Sequence, residues 1–199
     1  MPFPSHEQVV AKTRAWIERA VIGLNLCPFA KAVHAKNQIR YVVSDDTDIE
    51  DLLTMLCDEL RLLAHADPED IDTTLIIHPR VLTDFLDFND FLDLADAAVD
   101  DMGYAGVLQV ASFHPQYQFE GTEPDDVTNA SNRSPYPTLH LLREASVDRA
   151  VEAFPEAETI YETNMRTLEA LGPEGWAQLQ VRIAEDAEQE GSSGSSPQR

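Results

Sequence analysis

The sequence predicts an α/β fold with an open, mostly parallel sheet of about four strands, helices on both faces and further helices at the C-terminal end. Two patterns that alternate along the chain predict it. Short runs of β-branched and aromatic residues alternate with longer segments in which apolar residues recur every three or four positions. Such alternation is typical of crossovers between parallel strands. A length of 199 residues suits one domain. We assign that domain to residues 1–188 and expect a disordered Gly/Ser tail at 189–199.

The helices are predicted from their capping residues and their apolar periodicity. Ser5 to Gln8 has the form of a capping box, and the helix that follows is expected to end near Gly23. Asp48 and Asp84 are expected to start the next two helices, and Gly103 to end the second of these. The later helices are predicted to start at Ser146 and to span about 158–171 and 173–188.

Four apolar runs are predicted to be strands, at residues 39–43, 74–77, 107–111 and 139–143. The last run follows its predecessor without an intervening helix, so an antiparallel direction is open to it. The connection, residues 113–137, contains four prolines and shows no period. Connections of this length in a compact domain are usually functional or disordered. Its aromatic residues favour an ordered loop, which we take as the candidate working surface.

The charge of the chain is strongly negative. Thirty-six acidic residues against 14 basic ones give a net charge of −22. Such a surface repels phosphate backbones and anionic lipid, so nucleic acid and membranes are poor partners. No apolar run is long enough to span a bilayer, and no signal peptide is visible, which predicts a cytoplasmic protein. General solubility is the simplest explanation of the charge.

Two histidines follow predicted strands. His78 and His114 are each followed by proline, and if both strands run parallel, the two imidazoles leave the sheet at the same edge. A histidine pair there could act as acid and base, or ligate a metal. The alternative is that each histidine only hydrogen-bonds a nearby carbonyl group. A third histidine, His140, points to the opposite side of its strand. It either reaches the pocket or hydrogen-bonds helix backbone, and we favour the second alternative.

The polar loop contains a compact set of side chains suited to an anion. Asn129, Asn132 and Arg133 lie close together in sequence, and Arg133 is the only basic residue between Arg80 and Arg143. An arginine in acidic surroundings is either a structural hub or a clamp for a carboxylate or phosphate.

Cys27 is the candidate nucleophile. It precedes Pro28 at what looks like a helix start, where backbone N–H groups favour a thiolate. Its apolar neighbours favour a buried and inert thiol instead. The second cysteine, Cys57, lies on the apolar face of its helix. Two cysteines are too few for a disulfide framework.

The chain also lacks the local motifs for Ca²⁺, dinucleotides and nucleoside triphosphates, and the hydrolase elbow. The cofactor is therefore undetermined.

Three groups of segments resemble a known family. They are residues 23–30 (GLNLCPFA), residues 103–106 with 109–115 (GYAG, QVASFHP), and residues 129–137 with 139–144 (NASNRSPYP, LHLLRE). These strings are similar to those of a domain of unknown function found in bacteria and plants. The resemblance implies a single domain over most of residues 5–172 and carries no activity with it.

Three functions remain open. The first is an enzyme acting on a small anionic molecule, with Cys27 as nucleophile, His78 or His114 as base, and Arg133 with Asn132 as anion clamp. The second is a metal-dependent enzyme that uses the same histidines. The third is a non-catalytic binding or accessory module whose acidic segment, residues 45–101, meets a basic partner. A small-molecule ligand is expected in the first two, and the oligomeric state is undetermined.

Overall fold

The computed structural model of the chain describes residues 3–153 and 159–193. The helices are α1 (His6–Trp16), α2 (Ala30–Ala35), α3 (Ile49–His65), α4 (Phe85–Asp101), α5 (Glu144–Ala153) and α6 (Ile160–Ser193). The strands are β1 (Ile39–Val43), β2 (Thr73–Ile77), β3 (Leu108–Phe113) and β4 (Thr138–Arg143). A π-helical segment, Ile17–Ile22, continues α1, and a 3-10 helix, Val127–Asn132, lies between β3 and β4.

The helix starts follow the capping residues. Ser5 and Gln8 form a reciprocal capping box at α1, and the Asp48 and Asp84 carboxylates accept N–H bonds at the starts of α3 and α4. Near the C-terminus, Gly172 has a φ of 69° and breaks α6 at the gap between the two predicted helices. The second half of α6 continues to Ser193, into the segment expected as a tail. Residues 194–199 lie outside the described residues.

The sheet has the order β1-β2-β4-β3. Its class as an open four-stranded α/β sheet is confirmed, but the prediction of a mostly parallel sheet is wrong. Only β1 and β2 pair in parallel, whereas β4 is antiparallel to both of its neighbours. The reason is that a loop, not a crossover helix, connects β3 to β4, and β4 inserts between β2 and β3. Because β2 and β3 both run opposite to β4, β1, β2 and β3 still point the same way.

Alternate residues of the strands face two separate cores. Ile76, Leu139 and Leu141 pack with the apolar faces of α3 and α4. Leu75 and Ile77 face the other side and pack with α1, the π-helical segment and α6. The sheet therefore separates the molecule into an α3/α4 side and an α1/α6 side. Within the described ranges, no helix is both long and apolar enough to cross a bilayer.

Candidate functional site

His78 and His114 meet on the α3/α4 side of the sheet. Both side chains are fully buried. Their rings lie on the same aromatic ring of α4, with centroid distances to Phe88 of 5.6 Å for His78 and 5.1 Å for His114. The structure therefore brings the two strand-end histidines together, as the shared direction of β2 and β3 requires.

The two imidazoles hold the loop that follows β2. His78 Nδ1 lies 2.9 Å from the Val81 carbonyl oxygen, and because a carbonyl only accepts, Nδ1 carries the proton. His114 Nδ1 accepts the Gln116 N–H at 3.0 Å, so its Nε2 donates to the Leu82 carbonyl at 3.3 Å. Leu82 has a φ of 54°, in the left-handed region, so the histidines secure a strained turn.

Burial keeps both histidines neutral. It lowers the pKa of His78 from 6.5 to about 4, and it also lowers the pKa of His114. Within the described ranges, Nε2 of His78 is buried without a hydrogen-bond partner. These contacts match the alternative in which each histidine hydrogen-bonds a nearby carbonyl group. A catalytic role for either histidine stays a prediction.

The residues expected to bind a substrate instead make hydrogen bonds that stabilise the polar loop. Asn129 is fully buried; its side-chain oxygen accepts the Phe119 N–H at 3.0 Å, and its amide donates to the Glu123 carbonyl at 2.9 Å. Arg133 donates to the carbonyls of Tyr117 at 3.0 Å and Pro124 at 2.6 Å. Asn132 makes a longer bond, 3.4 Å, to the Ser112 carbonyl. That any of these three binds a substrate stays a prediction.

The segment that carries Cys27 is shaped by the π-helical turn before it. A Cβ at Gly23 would lie 2.3 Å from the Arg19 carbonyl oxygen, so only glycine fits where this turn ends. Asn25 then adopts a φ of 54°, which asparagine tolerates better than most residues. The Asn164 amide of α6 donates to the Leu26 carbonyl at 2.8 Å. These contacts fix the chain immediately before Cys27.

Cys27 lies on the α1/α6 side of the sheet, across from the histidine pair. It packs against the core that contains Trp16 and Val21. Burial raises the pKa of its thiol, and the N–H groups of Phe29 and Ala30 act in the opposite direction. The effect expected from the helix start is thus present, but burial outweighs it. Cys27 is a thiol at neutral pH, and the sheet separates it from His78 and His114.

Cys27 lines a large groove, which we call the sheet-face groove. Its volume is about 720 Å³. All four strands contribute to the floor, with the side chains of Ile39, Thr73, Leu75, Gln109, Ala111, Phe113, His140 and Leu142. One wall is the π-helical segment with Cys27–Ala30 and α2, and the other wall is α5. The lining is mostly apolar, and the volume is in the range of small-molecule sites.

His140 stands on this floor and is held by Thr73. Its Nε2 lies 2.6 Å from the Thr73 hydroxyl oxygen. Its ring lies 5.9 Å from that of Phe113, which in turn contacts Trp16 at 5.2 Å. Burial alone lowers the pKa of His140 to about 4. The histidine is therefore neutral at pH 7. Its partner is a strand side chain, and not the helix backbone that the sequence favoured.

The rim of the groove contains charged residues that differ in how they are paired. Lys36 lies 4.0 Å from Glu69, and both are exposed. Asp72 accepts the Ser146 hydroxyl at 2.5 Å. Arg149 donates to the same hydroxyl oxygen at 2.9 Å and forms no ion pair with any described residue. Arg149 is thus the rim base available to an anion.

The sequence model of a family described as protein of unknown function, DUF1415, matches residues 8–178. The chain belongs to the DUF1415 family. This membership confirms the resemblance noted in the sequence. No curated protein and no solved structure matches the chain.

The segments that suggested the DUF1415 family contribute much of the groove. Residues 23–30 supply part of one wall, whereas residues 109–113 and 139–142 supply much of the floor. The sequence favoured helix backbone over the pocket for His140 and did not identify Thr73. The alternation of His140 with Leu139 and Leu141 was the available signal, but the pairing of β4 with β2 was needed to place Thr73 beside it.

The last feature of the site is the arrangement of its possible metal ligands. Among the residues that the structure describes in this DUF1415 chain, no three His, Cys, Asp or Glu side chains come together as possible metal ligands. His78 and His114 contribute two imidazoles, and Cys27 lies across the sheet from them.

Proposed function

We propose that this protein binds a small organic acid in the sheet-face groove and acts on it there. The ligand has an apolar body and one anionic group. The observation that carries the proposal is the groove itself, a cavity of about 720 Å³ that contains Cys27 and His140 and has Arg149 at its rim.

The apolar body of the ligand is argued from the inner half of the groove. Trp16, Val21 and Phe113 lie there, and none of their side chains carries a charge. Their aromatic and aliphatic surfaces favour a flat or branched hydrocarbon part. A site with a few polar groups in an apolar lining is the usual form of a small-molecule pocket.

The anionic group is argued from charge complementarity. Two bases line the rim, and Arg149 differs from Lys36 in that it forms no ion pair with a described residue. At this rim Glu69 offsets Lys36. Asp72 lies near Arg143, where burial lowers the pKa of the guanidinium and the Asp72 carboxylate acts in the opposite direction. Arg149 is left over, and its planar guanidinium suits a carboxylate or phosphate. This retains the anionic ligand expected from the sequence and moves the clamp from Arg133 to Arg149.

Cys27 is the group in the groove that can form a covalent bond. Its raised pKa makes it a thiol at rest, so it needs a base to become a nucleophile. We therefore expect slow alkylation by iodoacetamide at pH 7. The rate should rise with pH until well beyond pH 8.5, the ordinary value for cysteine. A fast and pH-independent reaction at pH 7 would contradict this assignment.

Ligand binding is tested with phenylpropanoate, an aromatic acid small enough for the groove. The dissociation constant is measured by NMR titration for the wild type, for Arg149→Gln, and for Arg61→Gln as a matched control. Arg61 is exposed on α3, on the other side of the sheet, and pairs with Asp58. We expect weak, saturable binding that Arg149→Gln reduces about tenfold, as for one charge-assisted contact. Equal binding by both variants, or no binding by the wild type, would overturn the proposal.

A further inference from the structure

His140 occupies the centre of the groove floor. In the register of the sheet it pairs with Leu75 of β2 on one side and with Ala111 of β3 on the other. Both neighbours are apolar, and alanine leaves space beside the imidazole. Burial is the cause of the low pKa of His140.

The hydrogen bonds of Thr73 decide which ring nitrogen carries the proton. The Thr73 hydroxyl donates its one proton to the Leu141 carbonyl oxygen at 2.7 Å. The same hydroxyl oxygen lies 2.6 Å from His140 Nε2, so in that contact it can only accept. Nε2 therefore carries the proton and donates it to Thr73. In the neutral ring, Nδ1 is then a bare acceptor.

Nδ1 has no hydrogen-bond partner within the described part of the chain. It is also not fully enclosed by protein atoms. Nδ1 is therefore free to accept a hydrogen bond from a molecule bound in the groove. Among the described lining residues, the groove thus offers a free ring acceptor on His140 in its floor and an unpaired base, Arg149, at its rim.

We infer that His140 selects ligands that carry a hydrogen-bond donor on their apolar body, apart from the acid group. The ligand class is then a hydroxy- or amino-substituted organic acid, whose donor bonds to Nδ1 while its acid group reaches Arg149. This inference rests on the proposed function and specifies the ligand of the same groove. Sites built to bond a substrate hydroxyl discriminate strongly against analogues that lack it.

The test compares phenylpropanoate with its para-hydroxy and para-methoxy derivatives. Dissociation constants are measured by NMR titration for the wild type and for His140→Phe, which keeps a flat ring and removes the acceptor. We expect the wild type to bind the hydroxy compound about threefold to tenfold more tightly than the methoxy compound, the worth of one hydrogen bond. His140→Phe should bind the two with equal affinity.

The outcomes separate the inference from the proposed function. If the wild type binds phenylpropanoate but shows no preference for the hydroxyl, or if His140→Phe keeps the preference, this inference is wrong and the groove proposal stands. If the wild type binds none of the three compounds, the groove proposal fails.

A second measurement does not depend on the folding of the variant. Nitrogen-15 NMR of the wild-type histidines reports directly which ring nitrogen is protonated. We expect His140 to be protonated at Nε2, and its Nδ1 signal to shift when the para-hydroxy compound binds and much less with the methoxy compound. Protonation at Nδ1 in the free protein would overturn the inference.

Discussion

Three histidines of the sheet differ in role because their neighbours differ. His78 and His114 donate to the carbonyls of one strained turn. His140 donates to a threonine hydroxyl and leaves a nitrogen to the groove. From the sequence, the first two had the clearer signal, because each ends a strand and is followed by proline. The position of a histidine relative to its strand was predictable, whereas the partner that fixes its proton was not.

Acid should destabilise the fold through the buried histidines. The pKa of His78 is about 4 in the folded protein and 6.5 in the unfolded chain. Between these values the unfolded chain binds a proton that the folded protein does not. Stability is therefore lost as pH falls from about 6.5 to 4, by up to about 3 kcal/mol for this group.

The measurement is urea unfolding at pH 7 and at pH 4.5. His78→Gln should lower stability at pH 7 and flatten its pH dependence, while a matched substitution of exposed His65 should leave the dependence unchanged. An unaltered dependence in His78→Gln would show that this imidazole is not neutral in the fold.

At the scale of elements, two features position residues in ways that the sequence did not reveal. They are the π-helical segment and the polar loop, residues 113–137. The sequence predicted one helix ending near Gly23, and this end is confirmed. It did not show that the last turn is π-helical, because the apolar spacing of that turn fits either helix type. Likewise, the aromatic residues predicted an ordered loop, but its 3-10 helix depends on side chains that bond within the loop.

Gly23→Ala tests the π-helical turn. Its Cβ would meet a backbone carbonyl at 2.3 Å, and backbone cannot move aside as a side chain can. We expect a loss of about 1–3 kcal/mol in the free energy of unfolding, typical of forced overpacking. Gly191→Ala in α6 is the control, since its Cβ would meet open space. Equal stability of the two variants would contradict the account of this turn.

Substitutions of Arg133 distinguish a structural role in the polar loop from a role in binding a ligand. Its guanidinium donates to two loop carbonyls, so Arg133→Gln should loosen residues 114–126 and speed their cleavage by proteases. Arg133→Lys should not restore the loop, because an ammonium cannot span both carbonyls. Phenylpropanoate binding should change little. Weakened ligand binding with unchanged proteolysis would instead support the clamp expected from the sequence.

At the scale of the whole molecule, the sheet decides which residues can cooperate. The sequence predicted the α/β class, the number of strands and most helix boundaries from local patterns. It could not predict that β4 inserts between β2 and β3, because strand pairing is set by contacts far apart in the chain. For the same reason it grouped Cys27 with His78 and His114, whereas the fold places Cys27 in the groove with His140.

The most direct test of the groove is to map phenylpropanoate binding by backbone NMR. The account predicts that amide signals of the groove, such as those of Val33, Leu75, Ala111 and Ala150, shift on titration. Signals around His78, Leu82 and Arg133 should remain still. Shifts confined to the turn after β2 and to the 113–137 loop would contradict the groove proposal. They would place the site at the sheet edge near His78 and His114, as the sequence first indicated.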